Sequence, residues 1–419
     1  MQHRTADRDP ATARFATLAT VLAIFTTIFA SNLPTPLYAV WQAQWQFSAT
    51  VLTAVFAVYV LGVIATLPTV GPLSDLVGRR QVMIPGLAFI ALGGVVFALA
   101  QNPYWLAIGR LFTGIGTGVV TGAATAALVE LDPAGNRARA ATVSALCLTA
   151  GATCGPVFSS AALRFMPWPT VLPFVVVTAL ALAAIGFLLR VRWPRGVGRR
   201  QEGFQLRYWR PQRLSVPREI RGGFAFAAAA VALGWSAGSL YGALGPSLAV
   251  ELVGIQDRAL AGLYAAGFQL VGGLGQFALR RRSALSMLTI GPALLAGGML
   301  VSVLGIAFAS PPMFTLGTVL TALGGGATSV GSVAMVSMVA PESKRGAVIS
   351  AFYIVAYLTM ASVVLSVGVT SDLIGLKWTM VLLSAVITVA AAALIRACRR
   401  LDPSRAAAAT SETPASADA

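Results

Sequence analysis

The feature that most constrains the fold is a repeated apolar run of about 20 residues, the length that an α-helix needs to cross a bilayer. Twelve such runs can be marked, separated by short polar or proline-bearing segments: 15–40, 50–70, 82–100, 104–129, 140–163, 168–189, 222–250, 259–279, 284–309, 313–339, 346–370 and 375–397. Hydrophobic residues make up 57% of the 419 residues, and charged residues only 11%. A soluble protein could not cover so much apolar surface, so the sequence predicts an all-α membrane protein with twelve transmembrane helices.

The basic residues indicate the orientation in the membrane. Their excess gives a net charge of +16, which could point to nucleic acid as a partner. With a cytoplasmic amino terminus, however, the loops on the opposite side hold only Arg164, Arg258 and Lys377. Because basic residues of short loops prefer the cytoplasmic face, we expect a bacterial-type inner (plasma) membrane protein with both termini in the cytoplasm. We then expect the lipid bilayer to be its partner, and we expect no nucleic-acid partner. The first run could instead be a cleaved signal peptide, but it continues through Leu33 and Val40.

Residues that could carry catalysis are scarce. The one histidine is His3, and the cysteines, Cys147, Cys154 and Cys398, are too few and too apolar in context for a metal site. No run holds paired carboxylates in its interior, and no Walker-type phosphate loop is present. We therefore expect no enzyme activity, no metal and no cofactor.

The chain divides into two similar halves. Residues 36–40, PLYAV, end the first run as 246–250, PSLAV, end the seventh, and Pro133 is echoed by Pro341. Six runs in each half predict two pseudo-symmetric six-helix bundles around a central solute site. The predicted divisions are a cytoplasmic tail, a first bundle, a basic cytoplasmic linker, a second bundle and a disordered cytoplasmic tail: 1–14, 15–190, 191–221, 222–397 and 398–419.

Three glycine-bearing motifs resemble those of the major facilitator superfamily. Residues 71–80, GPLSDLVGRR, match its signature in the loop expected between helices two and three. Helix four carries Arg110 ahead of three glycines, at 114, 116 and 118, like the second motif of the family. Helix five carries Gly151, Gly155 and Pro156, similar to a motif of its drug and proton antiporters. Two glycines that often follow that motif are serines here, at 159 and 160.

The resemblance implies the major facilitator fold and a secondary active transporter that works by alternating access. It favours proton-coupled efflux of a small amphipathic or drug-like solute by a monomer. The rival interpretation is a facilitator, exporter or importer of a metabolite such as a sugar or an amino acid, without proton coupling. In the family, the signature segment grips helix eleven when the cytoplasmic side is closed. The residues implied in this conformational latch are Gly71, Asp75, Gly78, Arg79, Arg80 and Glu130.

Three further sets of residues have alternative interpretations. The stripe of Gly151 and Gly155 with Pro156 is either a hinge in helix five or simple close packing. Arg110, inside helix four, either contacts carbonyl groups freed where Pro34 and Pro36 disturb helix one, binds an anionic part of the solute, or snorkels outward. With Asn32 near the outer mouth, Arg110 is a candidate for gating or solute contact. Candidates for the solute cavity, each of which could instead be packing, are Thr26, Tyr59, Thr113, Trp235, Gln269, Tyr353 and Tyr357.

Overall fold

A computed structural model describes residues 10–132, 134–193, 214–255, 257–279, 281–341 and 344–400, and of residues 10 and 11 the backbone only. The first half contains α1 (Pro10–Asn32), a 3₁₀ turn (Thr35–Leu37), α2 (Tyr38–Trp45), α3 (Ala49–Val77), α4 (Arg79–Ala98), α5 (Pro103–Leu131), α6 (Arg137–Phe165) and α7 (Leu172–Arg190). After a 3₁₀ turn (Arg218–Ile220), the second half contains α8 (Arg221–Glu251), α9 (Arg258–Leu279), α10 (Ala284–Ala307), α11 (Pro311–Val339), α12 (Arg345–Ile374) and α13 (Leu376–Arg400).

The helices confirm the predicted fold class. In the described part of the chain, eleven segments are long and apolar enough to cross a membrane, with α1 and α2 counted together. The remaining helix, α9, has 22 residues, a length of about 33 Å, but its glycines and two glutamines make it less apolar. Large apolar side chains such as Leu61, Leu182 and Val389 stay exposed on the outside of the bundle, as expected where lipid surrounds a protein.

Helix one, which the sequence predicted as a single run over 15–40, is interrupted in the structure. Helix α1 ends at Asn32, and Pro34 and Pro36 lie in the turn before α2. Proline has no N–H group to donate, so Pro34 and Pro36 leave the carbonyl groups of Ala30 and Asn32 without their helical donors and interrupt the helix on either side of the carbonyl group of Ser31. The carbonyl group of Ser31 accepts a hydrogen bond from Arg110.

The signature segment is not a loop, which corrects a second expectation. Helix α3 runs through Pro68 and Pro72 and ends only at Val77. Gly78 then makes the whole connection to α4, with φ at 113°, a value that glycine adopts without steric cost. Proline is tolerated in membrane helices because neighbouring groups satisfy the carbonyls that it frees.

With α1 and α2 counted as one spanning segment, successive segments run in opposite directions. The end of each segment therefore lies on one of two faces. We call the face that holds the start of α1 and the end of α13 the termini side, and the opposite face the far side. The two halves meet mainly where α3 packs on α12 and α6 packs on α9. Boundaries of the linker and of both tails stay predictions, because most of those residues lie outside the described ranges.

The hydrophobic core is shared between the halves on one side only. Towards the far side, a single cluster joins Leu37 and Leu52 of the first half to Leu244 of the second, and within the second half this cluster continues to Phe226 and Cys398 at the termini side. At the termini side, one cluster around Leu87 and Leu128 belongs to the first half alone, and another around Val348 and Phe352 belongs to the second half alone. The described structure is therefore closed at the far side, with its halves separately packed at the termini side.

Candidate functional site

Two polar contacts join the halves at the far side. The carboxylate of Asp372, near the end of α12, accepts backbone N–H groups of Ala49 and Thr50 at 2.9 Å each. An acid at the first turn of a helix is stabilised by the free N–H groups and by the helix dipole. On the other flank, Arg164 of α6 pairs with Asp257 at 2.7 Å, just before α9. The far side is thus held by one acid in each interface between the halves.

Glycines let the helices of the two halves approach closely beside these contacts. A side chain at Gly368 would lie 2.9 Å from the carbonyl oxygen of Ala49, closer than packed atoms allow. In the other interface, a side chain at Gly262 would collide with Ser160 and lie 2.7 Å from Pro36. Ser160 occupies the position of one of the glycines that often follow the helix-five motif. The glycine that allows close approach here is Gly262 of α9.

A cavity of about 460 Å³ lies on the far side, outside this seal. Both halves line it, with the polar residues Gln42, Gln46, Ser48, Ser247, Glu251 and Arg258. The charged groups of this vestibule come from the second half only.

The predicted latch residues meet on the termini side, within the first half. Arg79 contacts Asp75 at 2.5 Å and Glu130 at 2.8 Å, and its third partner is the hydroxyl of Ser74 at 2.6 Å. Arg80 donates to the carbonyl oxygen of Leu189 at 2.7 Å. A side chain at Gly71 would meet no described atom within 4 Å, so the implied grip on α12 is not made in this state. Its role in closing the termini side stays a prediction.

Arg110 is fully buried, with 1% of its surface exposed. It does not snorkel outward. Its Nε group donates to the hydroxyl of Tyr38, and its Nη1 group donates to the carbonyl oxygen of Ser31 at 2.5 Å. Three rings surround the guanidinium carbon, at 5.2 Å for Tyr38 and 5.5 Å for both Phe56 and Tyr59. The described acids make four ion pairs, none of them with Arg110.

The small residues of α6 pack against α1. A side chain at Gly155 would lie 2.6 Å from the carbonyl oxygen of Phe29, and one at Gly151 would lie 2.9 Å from that of Phe25. One turn further on, Ser159 donates to the carbonyl oxygen of Leu33 at 2.7 Å. Close packing thus accounts for the stripe, and a hinge at Pro156 remains a prediction.

Most of the predicted cavity residues lie where the halves face each other. Trp235, Tyr353 and Tyr357 form one aromatic group, with Trp235 4.8 Å from Tyr357 and 5.9 Å from Tyr353. Tyr59 of the first half is on α3, which packs against α12, the helix that carries Tyr357. Gln269 donates to Asn32 at 3.3 Å across the interface, so Asn32 lies at the inner edge of the seal.

Two predicted cavity residues are wrong for this conformation. Thr26 is 0% exposed and Thr113 is 1% exposed. The hydroxyl of Thr113 donates to carbonyl groups of its own helix, and its methyl group lies where a side chain at Gly93 would be. Both threonines are packed inside the first half. The partly exposed residues from the middle of α1 to its end are instead Val21, Leu22, Phe25, Ile28 and Asn32.

The sequence analysis did not identify several residues that close the far side or contact Arg110. The bridges at Asp372 and at Arg164 with Asp257 join distant parts of the chain and leave no local pattern. Tyr38 gave a weak signal, since it follows the paired prolines whose disturbance was expected to expose partners for Arg110.

The sequence of this chain matches the family model of the Major Facilitator Superfamily over residues 20–303, more than half of its length. The chain belongs to this superfamily. Two crystal structures share the fold: an inward-facing bacterial homologue of the human lysosomal transporter Spinster (TM-score 0.73, 16% identity, 93% of this chain and 97% of that one) and a nucleoside transporter (TM-score 0.73, 10% identity, 91% and 99%). The protein is therefore a multi-pass membrane protein of the major facilitator type.

Individual relatives of this chain match over shorter stretches. A triacylglyceride transporter of Mycolicibacterium smegmatis is 32% identical over 34% of the chain, a gallate transporter of Pseudomonas putida 30% over 31%, and multidrug resistance protein 3 of Bacillus subtilis 26% over 32%. These matches cover only 26%, 29% and 26% of the relatives' own lengths.

Proposed function

We propose that this transporter moves a small amphipathic solute by alternating access, with the termini side in the cytoplasm, and that it exports the solute in exchange for protons. The observation that carries the proposal is the asymmetry between its two faces. The halves share one core at the far side and have separate cores at the termini side. A central space that opens on one face at a time is what alternating access between two repeats requires.

The aromatic group at Trp235, Tyr353 and Tyr357 supports an amphipathic solute. Aromatic rings bury apolar surface while their polar tips offer hydrogen bonds. The motif on α6 and the likeness to a multidrug resistance protein support export. We expect a monomer, because the central space lies within one chain.

Proton exchange requires a group that gains and loses a proton as the two faces alternate. In the described helices the acids lie near the ends, and the candidate for coupling is Asp75, paired with Arg79 on the termini side. Without its negative charge, Asp75 would lose the ion pair with Arg79. The absence of an acid from described helix centres favours the second candidate function, a metabolite facilitator without proton coupling.

The experiment has two stages. Cells that overexpress the protein are grown against a panel of toxic compounds, and a compound to which they become resistant is then followed in inverted vesicles. Uptake that rises when a pH gradient is imposed supports proton-driven export, and uptake indifferent to the gradient supports the facilitator. Loss of gradient-driven uptake in Asp75→Asn, with solute exchange at equal concentrations retained, would assign the coupling to Asp75.

Orientation needs a separate test. An alkaline-phosphatase fusion after Pro217 is expected to be inactive, because the linker is placed in the cytoplasm. Strong phosphatase activity would place the termini side outside the cell and reverse the proposed direction.

A further inference from the structure

The buried guanidinium group of Arg110 carries a charge that the described protein does not neutralise. Its hydrogen-bond acceptors are a hydroxyl and a backbone carbonyl, which are neutral, and no described acid pairs with it. The hydrogen bonds described for this guanidinium group are made by its Nε and Nη1 groups. A buried cation is costly in a membrane protein unless it has a partner or a functional role.

Aromatic rings extend from this charge across the interface. The rings of Phe56 and Tyr59 flank the guanidinium group. Tyr59 is on α3, which packs against α12, the helix that carries Tyr357. The ring of Trp235 meets that of Tyr357 edge-on, at 69° between planes. The rings of Tyr59, Tyr357 and Trp235 are each partly exposed. A planar group placed between them would have ring contacts from both halves.

The position of these rings fits a solute site. Trp235 is near the middle of the 31 residues of α8, and Tyr357 is near the middle of the 30 residues of α12. Both lie on the termini-side flank of the seal formed by Asp372 and Asp257. In this state a solute would therefore reach the rings from the termini side.

We propose that the preferred solute is a planar aromatic molecule with a single anionic group, such as an aromatic carboxylate. The ring lies between Tyr59 and the pair of Trp235 and Tyr357, and the anion bonds to Arg110 after the ring of Tyr59 turns aside. Such a bond is charge-assisted and supplies the missing counter-charge. A neutral analogue leaves the buried charge unpaired, so it binds more weakly. This inference rests on the proposed function, because it assumes that the central space is the solute site.

The test uses three small probes on the purified full-length protein. Benzoate has both the ring and the charge, benzamide keeps the ring without the charge, and cyclohexanecarboxylate keeps the charge without the aromatic ring. Isothermal titration calorimetry is expected to show benzoate binding at least about tenfold more tightly than either analogue. Equal affinity for benzoate and benzamide, or no measurable binding of benzoate, would overturn the inference.

Two variants separate the charge from the rings. In Arg110→Gln, the preference for benzoate over benzamide is expected to fall to about twofold or less. In Trp235→Leu, both probes bind more weakly and the preference stays. The control is Arg139→Gln, which removes a charge that is 71% exposed and should leave all affinities unchanged. A benzoate preference that survives in a folded Arg110→Gln protein would contradict the inference. If Arg110→Gln does not fold, a preference for benzoate over cyclohexanecarboxylate that is unchanged in Trp235→Leu would contradict it.

Failure of this inference can be told apart from failure of the proposed function. The vesicle assay and the cysteine labelling described below use no aromatic acid. A protein that alternates access but ignores benzoate would refute only the solute class.

Discussion

The same two helices meet at one face of the protein and separate at the other. At the far side, α3 and α12 touch through Gly368 and through the carboxylate of Asp372. At the termini side, the space beside Gly71 of α3 is open, and its charged neighbours pair within their own half. The difference between the faces indicates that the halves are packed units that can tilt against each other. The polar contacts at the far side are few and largely exposed, so each of them adds only a modest free energy to closure.

The largest expected effect is that of Gly368→Leu. The new side chain would meet the backbone of α3, and overpacking of this kind costs about 1–3 kcal/mol. Closure at the far side should become unfavourable, and thiol reagents added from that side should reach the central space about tenfold faster. The measurement is the labelling rate of a single cysteine in the central space.

Gly297→Leu is the matched control for this variant. A side chain at Gly297 meets no described atom within 4 Å, so labelling should be unchanged. An equal rise in both variants would mean that general destabilisation, and not the contact at Gly368, opens the far side.

A smaller effect is expected for Asp372→Asn. The variant keeps the shape of the side chain but loses the negative charge at the first turn of α3, a charge worth about 0.3–1 kcal/mol at an exposed helix end. Far-side labelling should rise about two- to fivefold. Unchanged labelling would show that α3 and α12 are held together by packing alone.

A comparable but more local test is Pro156→Ala. If α6 bends at Pro156 during transport, restoring the hydrogen-bond ladder should slow exchange of an identified solute several-fold while the far side stays closed at rest. Gly155→Leu cannot make this test, because any side chain there collides with α1. Exchange at the normal rate in Pro156→Ala would show that the small residues of α6 serve close packing and that Pro156 is not a hinge.

The smallest effect is expected at the ion pair of Arg164 and Asp257, whose side chains are 61% and 33% exposed. Exposed pairs contribute about 0.2–1 kcal/mol and are weakened by salt. Arg164→Gln should raise far-side labelling about twofold at low salt, and the difference should vanish at high salt. A rise in labelling that does not depend on salt would contradict an electrostatic role. The double variant Arg164→Gln with Asp257→Asn should show the same far-side labelling rate as Arg164→Gln alone.

Much of the fold could be predicted because membrane helices are defined by length and apolarity. The resemblance to the family signature was also informative, and Asp75, Arg79 and Glu130, which it grouped in the latch, lie together in the structure. Rotation about the helix axis was not predictable. Thr26 and Thr113 were assigned to the cavity from their position along the helices. Both side chains instead point into the packed first half, where Thr113 of α5 lies against Gly93 of α4. The bridge from Asp372 to Ala49 spans 323 residues of sequence, and only the packed structure places the two together.

The central claim is that a space between the halves opens on the termini side while the far side is closed. Gly238→Cys tests it most directly, in a protein whose three native cysteines are replaced. Gly238 lies on the partly exposed face of α8 with Trp235, and a side chain there meets only Phe268, at 3.4 Å, an ordinary contact. With the protein in oriented vesicles and no solute, an impermeant thiol reagent should label this cysteine quickly from the termini side and slowly from the far side. Equal labelling from both sides, or faster labelling from the far side, would contradict the account.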